Sequence, residues 1–109
     1  MIVMRITVSV ARVLSAFLAD PAADRYGLDL MKATDLPSGT LYPILQRLQQ
    51  AGWIGAQWEQ IDPASEGRPA RRYYRLTPEG AARARTALAE LHAATSPGTA
   101  GTTEARPAW

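Results

Sequence analysis

The spacing of the apolar residues changes at Ala51-Gly52, and this change limits the folds that the chain can adopt. Before it, apolar side chains recur at helical spacing, at Leu41, Ile44, Leu45 and Leu48. After it, the residues alternate as in a strand, with Ile54, Ala56 and Trp58 on one side and Trp53, Gly55 and Gln57 on the other. The pattern predicts a mainly α chain with a small β-hairpin.

Two more helices are predicted ahead of this change. The first runs from about Thr7 to Ala19 and ends at Asp20-Pro21, and a short second helix from about Tyr26 to Ala33 has Asp24 as its candidate N-cap. Their apolar residues are expected in the core: Val10, Val13, Leu14, Phe17, Leu18, Leu28, Leu30 and Met31. A tight polar connection, residues 35–40, leads into the third helix, Leu41 to Ala51, so helices 2 and 3 form a candidate helix-turn-helix.

The sequence offers two candidate N-cap residues for the third helix and does not decide between them. Pro43 has no N–H, and this loses no hydrogen bond only when Pro43 lies in the first turn. Thr40 as the N-cap satisfies that limit, whereas Ser38 loses one bond. Tyr42, next to this start, is as consistent with apolar packing at the helix end as with donation to a phosphate.

The residues after the third helix predict a hairpin and a fourth helix. A polar loop, residues 62–69, is followed by a second strand, Arg72 to Thr77, whose inward residues are Tyr74 and Leu76. Thr77 is the N-cap of a fourth helix that reaches about Ala94. This order of elements predicts a winged helix-turn-helix fold; we call the hairpin, residues 54–77, the wing.

A chain of 109 residues has room for one small core, so we expect two copies to share an apolar face. The N-terminal and C-terminal helices are the predicted dimerisation helices, through Leu14, Ala84, Leu88 and Leu91. Residues 1–94 are predicted to be one winged helix-turn-helix domain for DNA binding and dimerisation. Residues 95–109 are predicted to be a disordered tail.

Composition excludes several enzyme and metal-site classes. The chain has no Cys and one His, His92, so it lacks a thiol nucleophile and a pair of His or Cys ligands. No phosphate-binding loop or nucleophile elbow is present either, and we expect neither an enzyme nor a cofactor. Arg12 divides the N-terminal apolar stretch into runs too short for a signal peptide or a membrane span, so we expect a cytoplasmic protein without membrane contact.

The distribution of charge, not the net charge of +2, points to nucleic acid. Residues 67–75 contain four arginines and no acid, which suits contact with a DNA backbone or minor groove. The polar side of the third helix has no carboxylate and can enter a major groove. The candidate DNA contacts are Ser38, Thr40, Tyr42, Pro43, Gln46 and Arg47 on the third helix, and Arg68, Arg71 and Arg72 on the wing.

Two blocks of sequence resemble the PadR family of transcriptional regulators. They are residues 36–48, continuing through Ala51-Gly52-Trp53-Ile54, and residues 67–80, with Tyr26-Gly27 and Trp58-Glu59 as supporting matches. The resemblance implies a dimeric winged-helix repressor that binds double-stranded DNA at inverted repeats and often responds to a small aromatic effector. It places Ser38, Thr40, Tyr42 and Pro43 at the DNA-facing start of the recognition helix. It also places Arg68 to Arg72 in the wing.

The chain departs from the longer members of that family. We expect no C-terminal domain after the fourth helix, so the chain resembles the short subgroup. The fourth helix lacks the aromatic residue with which relatives hold flat drugs, and Trp53 and Trp58 are the remaining candidates for an effector pocket. Two alternatives stay open: a protein–protein interaction module without specific DNA binding, and an aromatic-responsive regulator.

Overall fold

The computed structural model describes residues 4–95 and begins with a well-capped helix. Helix α1 (Val8–Leu18) starts after Thr7, whose hydroxyl accepts the N–H of Val10 at 3.2 Å. Such an N-cap satisfies one of the amide groups that a helix start leaves without a partner. The first predicted helix is confirmed to within one residue at each end.

Helices α2 (Gly27–Thr34) and α3 (Ser38–Gln50) form the predicted helix-turn-helix. Helix α2 ends at Asp35, which takes the left-handed conformation with φ 58° and donates its N–H to Met31 at 2.9 Å. The buried Leu36 anchors the turn, and its N–H donates to the Thr34 hydroxyl at 3.3 Å. One apolar side chain and local hydrogen bonds therefore fix the angle between the two helices.

Three short strands form one antiparallel sheet in the order β1 (Arg25–Tyr26), β3 (Arg72–Leu76), β2 (Ile54–Trp58). In the register of β2 and β3, Ile54 lies opposite Leu76 and Trp58 opposite Arg72. Tyr74 and Leu76 are buried, so the predicted inward face is confirmed. The one-turn helix α4 (Pro63–Glu66) interrupts the connection between the two wing strands.

Thr77 joins the end of the sheet to the last helix, α5 (Pro78–Thr95). Its N–H donates to the carbonyl of Trp53 at 3.0 Å, its hydroxyl donates to the carbonyl of Gly52 at 2.8 Å, and the same hydroxyl accepts the N–H of Gly80 at 2.9 Å. Gly52, with φ 80°, ends α3 and turns the chain into β2. The predicted N-cap role of Thr77 is confirmed, and the residue also closes the base of the wing.

Helix α5 packs against α1, and both contribute to one core. The fully buried large side chains come from three helices: Val10, Val13, Leu14, Phe17, Leu30, Leu41, Leu45 and Leu48. Ala81 and Ala84 of α5 lie in the same core, and their small side chains allow the helices to approach closely. The fourth predicted helix is therefore part of the protomer core as well as a candidate interface.

This packing corrects two predicted dimer contacts. Leu14 and Ala84 have no exposed surface within the protomer, so neither side chain is available to a second copy. Leu88 is partly buried against the core and Leu91 is half-buried, so both keep surface for a partner. The sequence stripe correctly gave the inward side of α5 but did not separate core residues from surface residues.

Three local predictions about the helix-turn-helix are wrong. Pro37, and neither Thr40 nor Ser38, is the N-cap of α3, so Pro43 lies inside the helix and removes one backbone hydrogen bond. Asp24 does not cap α2, which starts after Tyr26 without a side-chain cap. Leu28, expected in the core, is 59% exposed, whereas Leu30, also expected there, is fully buried.

Within residues 4–95, no helix is long and apolar enough to cross a membrane. The predicted C-terminal tail lies almost wholly outside the described residues.

Gly80 and Gly39 allow a matched test of the Thr77 junction, because both lie in the first turn of a helix. A Cβ added at Gly80 would lie 1.8 Å from the carbonyl oxygen of Trp53, whereas one at Gly39 would meet nothing within 4 Å. We expect Gly80→Ala to lower the free energy of unfolding by at least about 2 kcal/mol, because the backbone must move apart. Gly39→Ala should raise it by roughly 0.5 kcal/mol. Urea denaturation measures both, and equal effects would contradict the close contact.

Candidate nucleic-acid interface

One side of α3 is exposed and polar because the other side is held in the core by Leu41, Ile44, Leu45 and Leu48. We call the exposed side the recognition face. It contains Ser38, Thr40, Tyr42, Pro43, Gln46, Arg47, Gln49 and Gln50, of which Thr40 is half-buried. No carboxylate interrupts it, so a negatively charged duplex can approach along the whole helix.

Tyr42 is partly packed and partly exposed, so the structure is compatible with both predicted roles, apolar packing at the helix end and donation to a phosphate. Its side chain is 41% exposed, and its hydroxyl lies so close to Gly27 that a Cβ there would be 2.0 Å away. The ring therefore packs on the first residue of α2, and its exposed part belongs to the recognition face. Gly27 gives this tyrosine the space it occupies.

The wing arginines do not all have the same role. Arg68 forms a two-pronged ion pair with Glu59, with guanidinium nitrogens at 2.6 and 3.3 Å from the two carboxylate oxygens. Arg75 donates to Asp24 at 2.8 Å. Because Glu59 already binds its guanidinium, Arg68 has less charge to offer DNA than an unpaired arginine, and its predicted DNA contact stays a prediction.

Glu59 connects the wing to the helix-turn-helix. Its side chain is 12% exposed, and besides Arg68 it accepts the N–H of Arg71 at 2.9 Å and the hydroxyl of Tyr26 at 3.2 Å. The hydrogen bonds from Arg68, helped by those from Arg71 and Tyr26, lower the pKa of Glu59 to about 2. Burial, and then the bond to Glu59, raise the pKa of Tyr26, which stays a donor.

Arg71 and Arg72 are the two wing arginines that carry no ion pair in the described part of the chain. Arg71 is exposed. The guanidinium of Arg72 lies over the ring of Trp58, 5.4 Å from the ring centre. A cation over an indole face is held by electrostatic attraction, so Trp58 limits where Arg72 can point.

Arg72 also meets the recognition face. It lines a shallow groove of about 470 Å³ together with Gln46, Gln49 and Gln50 of α3. Trp58 and Arg72 are opposite each other in the sheet and lie on the same side as the buried Tyr74, beyond the edge of the core. The recognition face and the wing therefore form one continuous surface, with the positive charge at its edge.

Trp53 and Trp58 lie at opposite ends of β2, and the effector pocket predicted at these residues stays a prediction. Trp53 is 8% exposed and lies beside α5, where it lines a groove of about 490 Å³ with Met4, Ile6 and Ala87. Trp58 is 54% exposed at the other end of β2, under Arg72. The strand between them separates the two rings.

The sequence prediction missed Glu59 as a functional residue. It appeared only as part of a family match, because its partners Arg68 and Tyr26 lie 9 and 33 positions away and no periodic spacing links them. A carboxylate that directly follows a strand and precedes an arginine-rich loop was the available signal. Gln49 and Gln50 were on the predicted polar side of α3 but not among the candidate contacts.

Comparison with known proteins supports the fold. The model of the transcriptional regulator PadR-like family matches residues 17–86. The solved structure of smu.1704 from Streptococcus mutans is similar at 27% identity and a TM-score of 0.64, over 97% of this chain and 99% of that one. A PadR family transcriptional regulator from Eggerthella lenta is 25% identical with a TM-score of 0.64, over 91% of this chain and 88% of that one.

A third structure, AbfR of Staphylococcus epidermidis, is 27% identical with a TM-score of 0.64 over 91% of this chain. The chain spans 61% of the length of AbfR. No curated protein matches the chain.

The low pKa of Glu59 predicts a pH dependence of stability. Its pKa falls from 4.5 to about 2 on folding, so its contribution is complete above pH 4.5 and is lost as the pH falls through about 2. The stability difference between the wild type and Glu59→Gln should therefore shrink between pH 6 and pH 2. Urea denaturation at several pH values measures this difference, and a constant difference would contradict the ion pair as the cause.

Proposed function

Because this chain belongs to the PadR-like family of transcriptional regulators, we propose that it is a sequence-specific DNA-binding repressor. It acts as a homodimer on an inverted-repeat operator. The regulators of that family bind DNA and are not enzymes, in agreement with the absence of a catalytic motif in the sequence.

The observation that carries the proposal is the continuous surface of α3 and the wing. The recognition face has no carboxylate, and Arg72 borders it across the groove lined by Gln46, Gln49 and Gln50. Arg47, Arg71 and Arg72 add positive charge to this side of the molecule, and no ion pair within residues 4–95 neutralises them. A duplex needs such a combination of cations for its phosphates and hydrogen-bonding side chains for its bases.

The residues of this surface divide into two kinds of contact. Arg71 and Arg72 neutralise phosphates, so they bind every sequence alike. Thr40, Gln46 and Arg47 present hydrogen-bonding groups to base edges in the major groove, where Gln pairs with adenine and Arg with guanine. Ser38, Tyr42 and Pro43 lie at the start of α3, where the helix meets the backbone of the duplex.

A dimer presents two recognition helices to one side of the DNA. Leu88 and Leu91 on α5 keep exposed apolar surface and are the proposed contacts between the two copies. A two-fold axis between the copies places the helices in successive major grooves, about one helical turn apart. An inverted repeat in the operator matches that symmetry.

The DNA contacts are tested by equilibrium binding at several salt concentrations. We expect the chain to bind DNA from upstream of its own gene more tightly than random duplex. Arg71→Ala should weaken both and lower the slope of log K against log salt by about 1.8, because each of the two copies loses one phosphate contact worth about 0.9. Gln46→Ala should lose about tenfold on the preferred duplex alone.

Arg85 provides the control for these measurements. It is exposed on α5, away from the recognition face, so Arg85→Ala should change neither the affinity nor the salt slope. Wild-type binding to upstream DNA that is no tighter than to random duplex would favour a protein-interaction module, whose partners a pull-down would then identify.

The dimer is tested by measuring mass in solution. The wild type should have twice the protomer mass of 11.8 kDa, and Leu88→Asp or Leu91→Asp should reduce it to one protomer by placing a charge in an apolar contact. Ala93 is exposed on another side of the same helix, so Ala93→Asp should leave the dimer intact. Light scattering during size-exclusion chromatography gives the masses, and a dimer that survives both leucine changes would place the interface elsewhere.

A further inference from the structure

Glu59 is an acidic residue within the surface proposed to bind DNA, where a negative charge by itself weakens binding. Both of its oxygens are occupied: one by Arg68 and the N–H of Arg71, the other by Arg68 and the hydroxyl of Tyr26. With four donors the carboxylate has no further strong acceptor position to offer. The residue is therefore fully used by contacts within the chain.

These contacts link two parts of the molecule that approach DNA separately. Tyr26 is the N-cap of α2 and pairs in β1 with Tyr73 of β3, so it lies where the helix-turn-helix meets the wing strands, while Arg68 and Arg71 belong to the wing loop. The loop between β2 and β3, residues 59–71, is long and exposed, and its ends are joined by a backbone bond from Glu59 to Arg71 at 2.8 Å. Surface loops move more than the elements they connect unless contacts hold them, and the one-turn helix α4 orders only the middle of this loop.

We propose that Glu59 is a positioning residue for DNA recognition, which holds the wing loop against the helix-turn-helix so that Arg71 meets the DNA backbone in a fixed place relative to α3. This inference rests on the proposed function. It assigns specificity to a residue that does not touch DNA. A wing fixed in advance need not be ordered during binding, so less conformational entropy is lost when the specific complex forms.

A role for Glu59 as a mere negative charge and a role in positioning the wing predict opposite changes in DNA affinity for Glu59→Gln. If Glu59 were only a negative charge near DNA, its removal would strengthen binding to every duplex. If Glu59 positions the wing, Glu59→Gln lowers the affinity for the specific duplex. The affinity for random duplex stays unchanged or rises, because Arg68 is released. We expect the affinity for the preferred duplex to fall about tenfold and the preference over random duplex to fall at least as much.

Glu66→Gln is the matched control. Glu66 lies in the same loop and is exposed, and no hydrogen bond to its side chain is present in the described part of the chain. The change removes the same charge and leaves the four hydrogen bonds of Glu59 in place, although the pKa of Arg68, which the hydrogen bond to Glu59 raises, is also raised by the charge of Glu66. It should leave the preference for the specific duplex unchanged and strengthen binding slightly on all DNA.

A second readout does not depend on DNA. Trypsin cleaves after Arg71, whose N–H is held by Glu59 in the wild type. Glu59→Gln should speed this cleavage several-fold at a temperature where the variant remains folded by circular dichroism, and Glu66→Gln should not. Tyr26→Phe removes one of the four donors and should produce a smaller effect in the same direction.

The results of these experiments distinguish failure of the role of Glu59 from failure of the proposed function. If the wild type shows no preference for any duplex, the proposed function fails and the role of Glu59 in DNA recognition fails with it. If the wild type discriminates and Glu59→Gln discriminates equally well, only the inference is overturned. Loss of preference together with faster cleavage, in Glu59→Gln and not in Glu66→Gln, is the result that the inference requires.

Discussion

The hydrogen bonds of Thr77 hold together the elements on which the rest of the structure depends. Thr77 directly follows β3 and is the N-cap of α5. It also donates hydrogen bonds to the carbonyls of Gly52 and Trp53, which lie between the end of α3 and the start of β2. The carbonyl of Trp53 also lies against Gly80, so the start of α5 and the base of the wing are in direct contact. The wing therefore leaves the core at an angle fixed by the recognition helix itself.

This arrangement explains how a chain with a net charge of only +2 can present a cationic surface. Two of the four arginines between residues 67 and 75 are paired with acidic side chains of the same chain, Arg68 with the largely buried Glu59 and Arg75 with Asp24 at the surface. The other two are displayed beside α3, and Trp58 supports one of them. These two ion pairs hold the wing in place, and the two unpaired arginines give it a positive potential. The net charge of the chain reflects neither effect.

The sequence predicted the elements whose signals are local. The helical spacing of apolar residues fixed α1, α3 and α5, and the alternation after Gly52 fixed the wing strands. The predicted N-cap Thr77 is confirmed, and Thr7, predicted only as the approximate start of the first helix, is also an N-cap, because capping acts over three residues. The two-residue strand β1 and the single turn α4 are too short to show a period, and they were missed.

What the sequence could not predict depends on distant partners. Glu59 and Arg68 are 9 positions apart, and Asp24 and Arg75 are 51 apart, so the predicted arginine cluster looked more available than it is. For the same reason Leu14 and Ala84 were assigned to a dimer interface. An apolar stripe shows which side of a helix is buried, but not whether the protomer or a second copy covers it.

The central claim is that α3 and the wing form a single DNA-binding surface. The most direct measurement is an amide NMR titration of the labelled chain with a duplex that it selects from a random pool. The account predicts shifts along the exposed side of α3 and at Arg71 and Arg72, with little change in the middle of α5. Shifts concentrated on α5, or failure to select any duplex, would contradict it.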